Sequence, residues 1–162
     1  MYEDATILIR AATAADLPTI GQLGALLVTL HHDLDAARFL APSPETPTGY
    51  AEFLGTQLGE ANAGVLVAVR AGQVIGYAYV TMEGTDWMTL RGPAGVLHDI
   101  VVDPACRGAG VGHHLLGAAL AWFRARQAPR VVLGTAARNV AAQRLFEGAG
   151  FRRTMVEMTR EL

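Results

Sequence analysis

The sequence predicts an α/β protein built on one mixed sheet with helices on both faces. Three observations carry this expectation. β-type runs and amphipathic runs follow one another in the order βααβββαβαβ. The 162 residues, 51% of them apolar, suffice for a single domain over residues 1–162 with a sizeable core. Third, a glycine-rich loop joins an apolar strand to a helix, and such a junction cradles anions on unpaired N–H groups.

In chain order, residues 6–10 form a short β-type run. Thr13-Ala14-Ala15-Asp16 then caps a helix in which Leu17, Ile20, Leu23, Leu27 and Leu30 recur at spacings of three or four. His31-His32-Asp33-Leu34-Asp35 and the prolines Pro42, Pro44 and Pro47 read as an irregular connector, followed by a second helix over residues 50–58. Residues 64–69 and 73–82 read as strands, with Ala71-Gly72 as the hairpin signal between them. Residues 83–95 read as a loop carrying Trp87, Met88 and Arg91.

The next strand covers residues 96–102 and is rich in β-branched side chains. It stops at Pro104, which cannot donate to a sheet ladder. Val111, Leu115, Ala118 and Trp122 share a helical face, extending a helix to about residue 127. A strand over residues 130–134, a helix from Asn139 and a closing strand over residues 151–159 complete the chain.

Composition excludes several classes. Charged residues are 17% and the formal net charge is −2, without the basic excess of a nucleic-acid binder. The longest apolar run, residues 115–123, is too short to cross a bilayer. Met1-Tyr2-Glu3-Asp4 lacks the basic start of a signal peptide. A single cysteine, Cys106, forms no internal disulfide and fits a reducing compartment, so the expected location is cytoplasmic. His31-His32-Asp33 and His113-His114 lack the spacing of metal ligands, and no metal is expected.

The glycine loop decides the chemistry. A P-loop requires a lysine after the glycines, and none follows Gly112. A dinucleotide fingerprint requires a third glycine where His113 stands and a carboxylate near Ala128, and neither is present. Arg107, Gly110 and Gly112 instead match Arg/Gln-x-x-Gly-x-Gly directly after a strand ending in Asp103-Pro104. This resembles the coenzyme-A loop of the GNAT acetyltransferase superfamily. Asn139-Val140-Ala141-Ala142-Gln143-Arg144-Leu145-Phe146, ending in Gly150-Phe151, is similar to that family's second motif, Asn-x-x-Ala-x-x-Leu-Tyr-x-x-x-Gly-Phe. Ile9-Arg10-x-Ala12-Thr13-x-x-Asp16 likewise resembles its common N-terminus.

The resemblance implies the GNAT fold, acetyl-CoA as cofactor and transfer of an acetyl group to an amine. It places the pyrophosphate on the backbone of Arg107, Gly108, Ala109, Gly110, Val111, Gly112 and His113. It places the pantetheine arm beside Ile100, Val101 and Val102, with Asn139 and Phe146 lining its path. A free N–H near Val101 or Val102 would polarise the acetyl carbonyl, and the strand's exit at Asp103-Pro104 would open the sheet for the thioester.

Leu97-His98-Asp99 is similar to the Leu-Glu-Asp strand of diamine-type members, which puts His98 at the position associated with proton removal. Strict strand alternation sets His98 on one face with Ile100 and Val102, and Asp99 on the other, where a structural role is expected. An imidazole ordinarily titrates at about 6.5, which suits a base at neutral pH. Cys106 and His114 read as loop and helix-cap residues. Glu45, Glu52, Glu83 and Asp86 are candidates to hold a cationic amine. Phe146 departs from the family's tyrosine, so the group that protonates the leaving thiolate is open; Tyr77 and Tyr79 are the nearest phenols in sequence terms. Two alternatives follow: a GNAT-fold acyl-CoA sensor without turnover, and a protein or peptide acetyltransferase. The resemblance also implies a homodimer as the assembly, with a small-molecule amine as acceptor.

Overall fold

A computed structural model describes residues 6–162. Met1-Tyr2-Glu3-Asp4, read above for leader features, lies outside the described residues. Five strands form one sheet in chain order: β1 (Leu8–Ala11), β2 (Ala63–Arg70), β3 (Gln73–Glu83), β4 (Ala94–Val102) and β5 (Val131–Leu133). Neighbours pair antiparallel except β4 with β5, which run parallel. The β2–β3 hairpin closes through Ala71 and Gly72, whose φ values of 50° and 77° give the left-handed turn that matches strand twist.

Helices α1 (Leu17–Leu34) and α2 (Thr46–Gln57) cover one face of the sheet, and α3 (Val111–Ala125) and α4 (Val140–Gly148) cover the other. Leu115, Leu116, Ala119 and Phe123 of α3 pack on Ala78, Val80 and Leu97. Across the sheet, Ile20, Leu23 and Leu54 pack on Val65, Val67, Tyr77 and Val101. Each such large side chain withdrawn from water contributes roughly 1.5–3 kcal/mol, and burial on both faces explains why β2 and β3 read as continuous apolar runs.

Before α1, the backbone N–H and the hydroxyl of Thr13 donate to Asp16, forming the N-terminal cap that the sequence predicts. The helix then runs further than its apolar spacing suggested. His31 and His32 belong to its last turns, not to the connector, because their Nδ1 atoms bond Leu27 O and Phe39 O and no breaker intervenes. Similarly α2 starts at Thr46, since Pro47 occupies a first-turn position that needs no N–H. Gly21 and Gly24 let α2 approach α1: an added Cβ would stand 2.3 Å from Pro47 O at the first and 2.3 Å from the Tyr50 ring at the second.

Residues 151–159 do not form the expected strand. Phe151 is anchored, its N–H on Phe146 O and its ring beside that of Phe146. Beyond it the segment is exposed and held by side chains: Arg153 bonds Glu147 and Gln143, and Arg38 pairs with Glu157. A local apolar start such as Phe151 supplies no neighbour, and a strand requires one. No helix among the described residues is long and apolar enough to cross a membrane.

Candidate active site

The site is built around one irregularity in β4. Tyr79 pairs with Asp99 and Val80 with Leu97, which leaves His98 as an extra residue in the ladder. A bulge of this kind breaks the two-residue period. Leu97 packs with the α3 side of the core, whereas Asp99 and Val101 face the α1–α2 side. His98 faces that side as well, stacked on Tyr79 at 4.8 Å between centroids with 23° between planes. The expectation that His98 shares a face with Ile100 and Val102 is therefore corrected: those two pack on the α3 side, and His98 shares its face with Asp99.

Two cavities meet at this pair. The larger, about 390 Å³, is walled by Gly49, Tyr50 and Phe53 of α2 together with Tyr79, His98 and Asp99. A narrower one of about 60 Å³ runs between β4, β5 and α4, past Ile100, Leu133, Asn139 and Phe146, and reaches His98 and Asp99 from the other side. His31 also lines the narrower cavity.

The narrower cavity exists because β5 is short. Its parallel pairing covers only Gly95, Val96 and Leu97 of β4. From His98 onward that edge of β4 has no strand beside it among the described residues. The sheet thus opens just after Leu97, five residues before the exit at Asp103 where the sequence suggested it. Asp103 N–H donates to Ile75 O on β3, so alternation directs Val101 toward β3 as well and turns Ile100 and Val102 toward the gap. Val101 thus commits its backbone to the sheet and its side chain to the core; Val102 and Ile100 offer the available N–H groups.

At the far end of β4, Asp103 Oδ1 accepts from Ala105 N–H and shapes the turn. Gly108 and Gly110 take φ values of 80° and 79°, and α3 begins at Val111. The N–H groups of Gly110, Val111, Gly112 and His113 open the helix and have no intrahelical acceptor. His114 N–H bonds Gly110 O, as does its Nδ1, so this ring braces the loop. Arg107 is exposed and pairs with no carboxylate among the described residues. Asn139 caps α4, its Oδ1 accepting from Ala142 N–H at 3.1 Å.

Electrostatics divide the two ends. Asp99 is half-buried, and loss of solvent around it pushes its carboxyl above the usual carboxylate range, against a 2.8 Å hydrogen bond from Tyr77 that acts the other way. Burial, with Asp99 nearby, pushes Tyr50 up to about 12. Neither Tyr77 nor Tyr79 is free to serve as an acid, for their hydroxyls donate to Asp99 and to Gln57 Oε1 (3.0 Å). Neither lines the narrower cavity.

A profile of the acetyltransferase (GNAT) family matches residues 28–151. The chain belongs to the GNAT family. Its class is that of the acetyltransferases, with acetyl-CoA as the family's cofactor. This GNAT chain is 38% identical over 100 residues to a mycothiol acetyltransferase of Thermobispora bispora, covering 59% of the chain and 32% of that relative. A mycothiol acetyltransferase of Acidothermus cellulolyticus is 31% identical over 127 residues, 72% of the chain and 39% of the relative. The chain thus spans between about three and four tenths of these relatives' length. Among solved structures, the BH1408 protein of Bacillus halodurans superposes with a TM-score of 0.83 at 23% identity, covering 96% of this chain and 99% of that one. The aminoglycoside N-acetyltransferase AAC(6')-Iy, solved with CoA, gives 0.73 at 18% identity over 100% and 98% of the two chains. These likenesses establish the GNAT fold.

Of the residues expected from sequence, His98, Asn139 and Phe146 line the narrower cavity, and the glycine loop lies at the far end of β4. Tyr50 and Phe53 were not among the expected residues; of the connector from His31 to Pro47, expected to line an acceptor pocket, His31 alone reaches a cavity, the narrower one, and Asp99, expected to be structural, lines both. Tyr50 and Phe53, three apart on α2, offered the one local signal: an aromatic pair on a single helical face.

Proposed function

We propose that this chain transfers an acetyl group from acetyl-CoA to a primary amine of a small molecule, with His98 as the proton acceptor. The observation that carries the reading is the shared position of His98 and Asp99 where the two cavities meet. Nothing else among the described residues joins a titratable group to both.

The residues fit the cofactor. The free N–H groups at Gly110 to His113, with exposed Arg107 beside them, suit phosphate oxygens. The outward backbone of Ile100 and Val102 and the free amide of Asn139 suit a pantetheine arm in the narrower cavity. Bound there, acetyl-CoA supplies the acetyl group as an activated thioester. The N–H of Val102 or Ile100 would face charge developing on a carbonyl oxygen in the gap.

The larger cavity suits the acceptor. Tyr50, Phe53 and Tyr79 give apolar walls, and Asp99 gives a carboxylate for a cationic amine. An alkyl ammonium of pKa about 10.4 must lose its proton before attack, at a cost of roughly 4.6 kcal/mol at pH 7. A positioned base typically contributes on the order of 10²–10⁴ in rate, and His98 is that base. With phenylalanine at position 146, the thiolate leaves unassisted or through water. For a thiol of pKa about 8.5 this costs roughly 2 kcal/mol, too little to abolish turnover.

The test is thiol release from acetyl-CoA against a panel of amines, beside calorimetric binding of acetyl-CoA. The panel includes polyamines, amino acids, aminoglycosides, lysine peptides and, given the name of the curated relatives, mycothiol-related amines. Amine-dependent release that falls at least about 100-fold in His98→Ala, with cofactor binding kept, is expected. Undiminished turnover in that variant would remove His98 from the role, and binding without release across the panel would favour a sensor.

A further inference from the structure

The ring of His98 is engaged on one side only. Thr81 Oγ1 lies 2.8 Å from His98 Nε2 and 3.0 Å from Glu83 Oε1. Glu83 Oε2 receives a hydrogen bond from the Arg91 guanidinium at 3.0 Å. Paired with that cation, the Glu83 carboxylate has no hydrogen to give and acts as an acceptor. Thr81 has a single hydroxyl hydrogen, and Glu83 takes it. Toward His98, Thr81 can then only accept.

The hydrogen between them must sit on Nε2. Glu83 Oε1, 3.4 Å from Nε2, is a second acceptor for the same hydrogen. Nδ1 has no hydrogen-bond partner among the described residues, and His98 lines both cavities.

We propose that Thr81 and Glu83 are positioning residues that hold His98 as its Nε2–H tautomer and leave Nδ1 as the basic nitrogen for the acceptor amine. The proposal rests on the reading of His98 as the base. In the step itself, an ammonium N–H bond breaks, its electron pair stays on the amine nitrogen and the proton bonds to Nδ1. Nε2 keeps its own hydrogen throughout. The imidazolium so formed faces the Glu83 carboxylate across Nε2, so the group that sets the tautomer also stabilises the charge. Thr81 and Glu83 reach the same ring because they stand two apart on β3 and face one way, and because the bulge turns His98 toward them.

Ring-nitrogen NMR of the ¹⁵N-labelled whole chain, at a pH where the ring is neutral, tests this without turnover. His98 is expected to show a protonated Nε2 and an unprotonated Nδ1. Thr81→Val is expected to shift that pattern toward a mixture of tautomers, and Thr81→Ser to restore it. In the amine assay Thr81→Val should lower kcat about tenfold with little change in the KM for acetyl-CoA, and Thr81→Ser should recover it.

A protonated Nδ1 in the wild-type chain would overturn the proposal, as would a tautomer unmoved by Thr81→Val in a variant with native chemical shifts elsewhere. If the Nε2–H signature is present but His98→Ala turns over undiminished, the hydrogen-bond chain stands and the base assignment falls.

Discussion

The hydroxyl of Tyr77 donates to Oδ2 of Asp99 at 2.8 Å, joining a fully buried phenol on β3 to a half-buried carboxylate on β4. Asp99 and Val101 lie in register with Tyr79 and Tyr77 on this face of the sheet, and the bulge brings His98 onto it as well. Tyr77→Phe leaves the half-buried Asp99 without that donor, at a cost of roughly 1–2 kcal/mol. Denaturant unfolding should show this loss at neutral pH.

Asp99 also sets a pH dependence of the opposite sign to an ordinary ion pair. Its folded-state pKa is raised, first by burial, so the fold binds its proton more tightly than the unfolded chain does. Stability should therefore fall as pH rises from the usual carboxylate value through the raised one, then level off. Asp99→Asn should flatten that slope in unfolding curves taken across the range. An unchanged slope would place the titration elsewhere.

Asp16 works the other way. Two hydrogen bonds from Arg10, at 2.7 and 2.9 Å, and one from Thr13 N–H hold its carboxyl down at about 2. A lowered folded-state pKa gives stability that is present above the unfolded value, 3.8, and lost as pH falls toward 2. With Arg10 partly in solvent, the contribution is on the order of 2 kcal/mol. Asp16→Asn should cost that much at pH 7 and little near pH 2.

Gly24→Ala tests whether α2 forms the acceptor wall. A Cβ there meets the Tyr50 ring at 2.3 Å, so Tyr50 must move or α2 must shift. Overpacking of this kind costs about 1–3 kcal/mol. Because Tyr50 and Phe53 line the larger cavity and not the narrower one, the KM for the amine should rise several-fold while acetyl-CoA affinity stays near wild type.

Gly110→Ala probes the other end. The residue sits at φ 79°, and an added Cβ would meet the His114 ring at 3.8 Å, an ordinary contact, so any effect comes from backbone strain and not from collision. About 1–2 kcal/mol of strain would be relieved by moving the N–H groups that open α3. Calorimetry should show coenzyme A binding weakened about tenfold, with the acceptor side unaffected.

Sequence alone determined the parts of this protein that rest on local chemistry. The apolar runs of β2 and β3, the Ala71-Gly72 turn, the cap at Thr13, the loop of Gly108 and Gly110 and the cap at Asn139 each follow from a few adjacent residues. With them came the family resemblance. The tertiary structure decided what depends on counting across strands or on a neighbour distant in the chain. The extra residue at His98 is visible only when β4 is laid against β3, yet it reverses the face of His98 relative to Ile100 and Val102 and gives it Asp99 as companion. The length of β5 sets where the sheet opens. Residues 151–159 pair with no strand, because a ladder needs a partner that a local apolar start at Phe151 does not supply. Tyr50 and Thr81 join the candidate site for the same reason: helix packing and strand register bring them to it, and neither leaves a mark in its own sequence neighbourhood.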